Sequence, residues 1–333
     1  MIGRRDGRLG VGVVGAGAMG AAHVRTLATA VPSAEVVSVF DMDTERATQV
    51  ASAVGASAAG SPHDLIAACD AVVVTSPDTT HVDLVLACLQ ARTPVLCEKP
   101  LAVTASDALR VVEAEVALGR RLVQVGFNRR FDPGFGSLKA SVDDGTLGRV
   151  RVLHGIHRNA SSTTSVDDAG LVTGSMIHEF DTFRWLLDDD VVGIRVESPI
   201  VDGFRDPQVA TLWMRGGAMA TVEVFVNAGY GYDVRVEAVG TAGSVTLEPR
   251  TPVTARAAGA ASTVLGTDFV AHFAESYRLE LSAWTEATRA GDAVGASAWD
   301  GYVANLVAEA GVRALDSGAR ETVAVPDRPP LYG

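Results

Sequence analysis

Leu9-Gly10-Val11-Gly12-Val13-Val14 runs directly into Gly15-Ala16-Gly17-Ala18-Met19-Gly20, and helix-compatible residues continue from there to Thr29. A short apolar run, a glycine-rich turn and a helix, in that order, open a nucleotide-binding unit. The three glycines have different tasks: Gly15 permits the tight turn, Gly17 lets the backbone approach a pyrophosphate, and Gly20 lets the helix pack closely on its strand. The helix N-terminus at Ala18 and Met19 then offers free amide groups to the anion. In a chain with 34 glycines this spacing also arises in ordinary turns, and the strand before it and helix after it are what favour the nucleotide reading.

Working outward, Val36 to Phe40 supplies a second strand, and Asp41 closes it about 20 residues beyond the glycine loop. A carboxylate there accepts hydrogen bonds from both adenosine ribose hydroxyls and repels a 2'-phosphate, which favours NAD over NADP. Met42 and Arg46 stand beside it, and Arg46 can partly neutralise it. A plain turn residue is the competing reading of Asp41. Ser61 as N-cap and Pro62 as first helical residue start another helix, with Asp64 in its first turn. Val72 to Thr75 is β-branched and apolar, and Thr75-Ser76-Pro77-Asp78 follows at its carboxyl end, where the crevice of an open α/β sheet lies. Thr80 can cap a helix with Val82, Val85, Leu86 and Leu89 on one face, leading to a strand at Val95 to Cys97. Thr104 and Asp107 have capping-box spacing, and Leu122 to Phe127 reads as one more strand. Alternating strands and helices predict an α/β fold with a doubly wound parallel sheet.

After Phe127 the pattern changes. Val150 to His157, Val191 to Glu197, Val209 to Arg215, Ala218 to Val226 and Val234 to Val239 follow with few helices between them, and Gly216-Gly217 suits a tight hairpin. This predicts a dinucleotide-binding domain over residues 1–127 and an α+β domain over residues 128–333 built on a large, mostly antiparallel sheet. Helices are expected around Phe269 to Arg289 and Trp299 to Leu315, packing on one or both domains.

The chain has 333 residues, 47% of them apolar and 20% charged, enough to bury two cores. A net charge of -12 opposes nucleic acid or an anionic membrane as partner and leaves a small molecule. Cys69, Cys88 and Cys97 are odd in number, lack metal-ligand spacing and lie in apolar segments, as buried thiols in a reducing compartment would. Arg4 and Arg5 followed by an apolar run resemble an export signal, but the glycine spacing explains that run better, so a cytoplasmic location is expected. His154 and His157 alternate badly for a shared strand face, and no clustered metal-ligand set is seen.

Three further segments carry chemistry: Glu98-Lys99-Pro100, Phe127-Asn128-Arg129-Arg130-Phe131-Asp132 and Met176-Ile177-His178-Glu179-Phe180-Asp181. With the Gly15 loop, Tyr230-Gly231-Tyr232-Asp233 and the ending Pro330-Leu331-Tyr332, they resemble the family of glucose-fructose oxidoreductase and inositol dehydrogenase over nearly the whole chain, most closely its inositol dehydrogenases. The resemblance implies a Rossmann domain followed by an α+β domain, and NAD-dependent oxidation of a cyclic polyol. Removing a hydride from carbon while a proton leaves oxygen needs a base beside the hydroxyl. The resemblance gives that role to His178 and makes Lys99, after a cis Lys99–Pro100 bond, the group that steadies developing alkoxide charge. It further implies substrate contacts at Arg129, His157, Asn159, Asp181, Tyr232 and Tyr277, and cofactor contacts at His81, Glu98 and Lys99. Asp181 falls three residues after His178, on the same face of a helix, and could equally pair with Arg184. For Tyr232 and Tyr277, core packing competes with a pocket role. Relatives carry an aspartate four residues before the histidine to orient the imidazole, and here that position is Gly174. The expectation is a roomier pocket or slower cyclitol oxidation. A homotetramer or homodimer is also implied. A pyranose dehydrogenase and a catalytically silent NAD(P)-binding regulator are the alternatives.

Overall fold

The computed structural model describes residues 7–162, 166–248 and 254–333, so Arg4 and Arg5 lie outside the described residues. Its contacts divide the chain into two compact units, one of residues 1–131, 274–305 and 326–333, the other of residues 132–273 and 306–325.

The first unit is a parallel sheet of β1 (Leu9–Val14), β2 (Ala34–Phe40), β3 (Ser57–Ala58), β4 (Ala71–Val74), β5 (Val95–Glu98) and β6 (Val123–Gly126). The strand order is β3-β2-β1-β4-β5-β6, with every neighbouring pair parallel. Strands β1, β4 and β5, and β6 at the edge, are buried along their whole length, which is why they read as largely apolar runs. Between them run α1 (Ala18–Ala30), α2 (Thr44–Ser52), α3 (Pro62–Ala68), α4 (His81–Gln90) and α5 (Ala105–Leu118). Ser61 caps α3 through the amide of Asp64 and Thr104 caps α5 through the amide of Asp107, as their spacing predicts. Thr80 departs from its expected role: Asp78–Thr80 forms a single 3-10 turn, and the Thr80 hydroxyl donates to the Pro77 carbonyl instead of capping α4.

The second unit contains α6 (Pro133–Asp143), β7 (Val150–Arg158), a one-turn α7 (Asp168–Gly170), a π-helical turn at Leu171–Met176 and α8 (Ile177–Leu187). Strands β8 (Val191–Glu197), β9 (Gln208–Met214), β10 (Met219–Phe225), β11 (Asp233–Gly240) and β12 (Ser244–Leu247) follow, then a small hairpin of β13 (Thr254–Ala257) and β14 (Ala260–Thr263). With β15 (Glu321–Thr322) the large sheet runs β12-β11-β7-β10-β9-β8-β15, and every pairing but β7–β10 is antiparallel. Gly155 on β7 makes room for α8, because a Cβ there would lie 2.8 Å from the Phe183 ring.

The late helices are α9 (Phe269–His272), α10 (Ala274–Ala290) and α11 (Ala298–Ser317). The first unit therefore extends beyond the single boundary near residue 127 that the sequence suggests. Leu281 and Trp284 of α10 belong to the same buried cluster as Val11, Val13 and Leu96, so α10 completes the core of the parallel sheet. The C-terminal Tyr332 donates to Glu115 Oε2 over 2.7 Å, with its ring stacked on Trp299. Among the described residues no helix is long and apolar enough to cross a membrane.

Candidate functional site

In the first unit, the strand order reverses between β1 and β4, and the crevice at the carboxyl ends of these strands is where open α/β sheets bind ligands. A cavity of about 690 Å³ lies there, lined by Gly15, Gly17, Asp41, Met42, Arg46, Thr75, Ser76 and Pro77 among others. Gly15 and Gly20 stand where a side chain would clash. A Cβ on Gly15, at φ +96°, would fall 2.6 Å from the backbone of Thr75 and Ser76, and one on Gly20 would fall 1.9 Å from the Gly15 carbonyl oxygen. A Cβ on Gly17 would meet nothing within 4 Å, leaving clear space before the first turn of α1, whose N-cap makes no side-chain hydrogen bond. Thr75 Oγ1 secures the turn by donating to the Gly15 carbonyl over 2.8 Å.

Asp41 closes the other end. Its Oδ2 accepts from the Ala16 amide at 2.6 Å, and its Oδ1 accepts from the Asp43 amide at 2.9 Å and from Arg46 Nη2 at 2.7 Å. Burial raises the carboxyl pKa, but the Arg46 hydrogen bond, the two amides and the Arg46 charge outweigh it and hold Asp41 at about 2. The site thus presents a permanent carboxylate, with the 88% exposed Met42 as an apolar surface beside it. An open cradle at a helix N-terminus and a fixed carboxylate one strand away fit the phosphates and ribose of a dinucleotide.

The Glu98-Lys99-Pro100 segment leaves the end of β5 in the same unit, and the Lys99–Pro100 bond is cis, as the resemblance implies. Glu98 is buried. Burial raises its pKa, but His23, whose Nε2 lies 2.7 Å from Glu98 Oε1, and the Lys99 charge bring it below the usual carboxylate range. Tyr277, on α10, meets the His23 ring edge-on at 5.6 Å, and Arg129 is buried in a 3-10 turn whose Asn128 donates to Ser276 on α10.

In the second unit, His178 and Asp181 share the first turns of α8 directly after the π-helical turn that contains Gly174. Single π turns inside helices recur at functional sites. The His157 ring lies 6.2 Å from that of His178 and 6.1 Å from that of Tyr232, and its Nδ1 is 3.4 Å from Oε2 of buried Glu179. Asn159 Oδ1 is buried and has no hydrogen-bond partner among the described residues. Arg184 binds Asp190 through Nε and Nη2. His154 lies on the exposed face of β7 against Thr221, and His157 on the buried face.

Gly15, Gly17, Asp41, Met42, Arg46, Thr75, Ser76 and Pro77 thus share one cavity, whereas Ala18, Met19, Gly20, Asp78, His81, Glu98 and Lys99 do not line it. Lys99, Arg129 and Tyr277 belong to the first unit; His157, Asn159, Gly174, His178, Asp181 and Tyr232 belong to the second. Pro62, Thr79, Asp83 and Leu84 also line the cavity, and the sequence reading missed them as ligand contacts. Their only signal is position, at the N-terminal ends of α3 and α4 that the parallel topology brings to one sheet edge. Glu179 went unnoticed because a buried carboxylate reads from sequence like a helix-surface charge.

A doubly wound sheet with a glycine turn and a carboxylate at the end of its second strand, in a chain that also has a unit built on a mixed sheet, defines a dinucleotide-dependent oxidoreductase of two units. The chain belongs to the oxidoreductase family with an NAD-binding Rossmann fold, whose model matches residues 9–127, and residues 135–246 match the GFO/IDH/MocA C-terminal domain. It is 47% identical to inositol 2-dehydrogenase 1 of Saccharopolyspora erythraea, over 97% of this chain and 98% of that one. It is 43% identical to inositol 2-dehydrogenase of Streptomyces avermitilis, over 98% and 97% respectively. Among solved structures, myo-inositol dehydrogenase from Lactobacillus casei in complex with NAD(H) and myo-inositol superposes with a TM-score of 0.94 at 32% identity, covering 98% of this chain and all of that one.

Proposed function

We propose that this chain oxidises a secondary hydroxyl of a cyclic polyol, an inositol-type cyclitol first, to the ketone, with NAD as hydride acceptor. The observation that carries the reading is the cavity running from the Gly17 cradle to the Asp41 carboxylate, in a chain that also has Lys99 and His178 and whose relatives and structural neighbour are inositol dehydrogenases. Bound NAD supplies the hydride acceptor; the chain's own residues do the rest. Asp41 accepts from the ribose hydroxyls and selects against a 2'-phosphate. Lys99 stabilises charge developing on the substrate oxygen, and His178 takes its proton. Arg129, His157, Asp181, Tyr232 and Tyr277 hold the other hydroxyls, and the buried, unpartnered Oδ1 of Asn159 supports that assignment as an acceptor for one of them. The protein works as a homotetramer or homodimer in the cytoplasm.

Gly174 favours a second substrate class. A Cβ there would meet nothing within 4 Å, and that room supports a pyranose or sugar derivative as the second candidate. One assay tests both: NAD and NADP reduction across inositol isomers and aldoses. Steady turnover with a cyclitol, lost by about a hundredfold or more in Lys99→Ala and His178→Ala while NAD still binds, is the expected result. Turnover with aldoses alone replaces the substrate, and tight NAD binding with no turnover on any compound overturns the enzyme reading in favour of a sensor.

A further inference from the structure

His81 is 2% exposed, and both of its ring nitrogens are engaged: Nδ1 lies 2.7 Å from the Pro100 carbonyl oxygen and Nε2 lies 2.9 Å from the Ser76 carbonyl oxygen. Carbonyls only accept hydrogen bonds, and a neutral imidazole carries a single N–H, so a ring that bonds both carbonyls holds a proton on each nitrogen. The geometry points to His81 as a positioning residue, a two-ended strut that sets the loop forming one wall of the dinucleotide cavity against the residue that follows Lys99. Ser76 lines that cavity, and Pro100 is joined directly to Lys99.

Other side-chain bonds of residues 76–80 are local. Ser76 and Thr80 exchange a hydroxyl contact of 2.7 Å, and Thr80 returns to the Pro77 carbonyl, so these bonds close the loop on itself. The His81 ring spans from it to the segment after β5. A shift of the Pro100 carbonyl moves the Lys99 backbone, and a shift of the Ser76 carbonyl moves the cavity wall. Displacements well under an ångström matter where a reacting group must be aligned.

This inference rests on the reading of the cavity as an NAD site and of Lys99 as catalytic, and the test separates the two. The side-chain amide of asparagine reaches as far as Nδ1 and that of glutamine as far as Nε2, so His81→Asn retains the Pro100 end and His81→Gln retains the Ser76 end. His81→Phe fills the volume and donates to neither. For His81→Gln, the NAD dissociation constant by calorimetry stays within about twofold while kcat falls about three- to tenfold; His81→Asn shows the reverse, and His81→Phe loses both. Hydrogen exchange on the protein without NAD supplies a readout independent of turnover: His81→Phe raises exchange in residues 75–77 and 98–101 together, while the amides of α4 stay protected. Indistinguishable constants for His81→Gln and His81→Asn, or loosening confined to α4, overturn the strut. Should the wild-type protein neither bind NAD nor turn over, the functional reading fails, and the exchange comparison still decides the strut.

Discussion

His23 Nε2 and Glu98 Oε1 lie 2.7 Å apart, a buried bond between the first helix after the glycine loop and the residue before Lys99. Glu98→Ala leaves the His23 ring without this partner, at a cost of about 1–3 kcal/mol in unfolding free energy by urea titration. The pH dependence has a definite sign. The folded pKa of Glu98 is depressed below its ordinary 4.5, so its stabilisation is complete above that value and is lost as pH falls through the lower folded value. The gap in stability between wild type and Glu98→Gln narrows as pH drops below 4.5.

Asp41 and Arg46 set cofactor choice against each other. In Asp41→Ser the ribose loses its acceptor and Arg46 is released from its bond at 2.7 Å. Calorimetry should show NAD binding weakened about tenfold and NADP binding strengthened, because the freed guanidinium can take the 2'-phosphate.

Gly17 and Gly20 are three residues apart and should fail in different ways. In Gly20→Ala the new methyl falls 1.9 Å from the Gly15 carbonyl oxygen, so the turn must open and thermal melting should show a loss of about 3 kcal/mol or more. In Gly17→Ala the methyl meets no protein atom within 4 Å, so stability should stay within about 1 kcal/mol while NAD affinity drops.

Tyr332→Phe removes a donor from Glu115. Burial already raises the Glu115 pKa, with the Tyr332 hydroxyl and the Leu122 and Val123 amides acting against it. The variant should be less stable by about 1–3 kcal/mol at neutral pH. The deficit should shrink in acid, because the carboxylate depends on that donor and the protonated acid does not.

Gly174→Asp tests the pocket. A Cβ built there meets nothing within 4 Å, so the side chain starts without a clash. Turnover on myo-inositol is expected to rise if that carboxylate orients His178; unchanged or lower turnover counts against the idea.

The parallel sheet, the order of its helices and the work of the glycine turn are written locally. β-Branched runs such as Val72 to Val74 and caps such as Ser61 and Thr104 act through neighbours a few residues away, and the spacing of Gly15, Gly17 and Gly20 is a local pattern, so the amino-acid sequence by itself determined them, although Gly15 also packs on Thr75 and Ser76 from β4. Tertiary structure alone decided that α10 completes the first core, that Tyr332 reaches Glu115, and that the His81 ring faces two carbonyls. Tyr332 and Glu115 are 217 residues apart in the chain. Such pairings are set by burial and hydrogen-bond satisfaction once the sheet has assembled, and no periodicity records them.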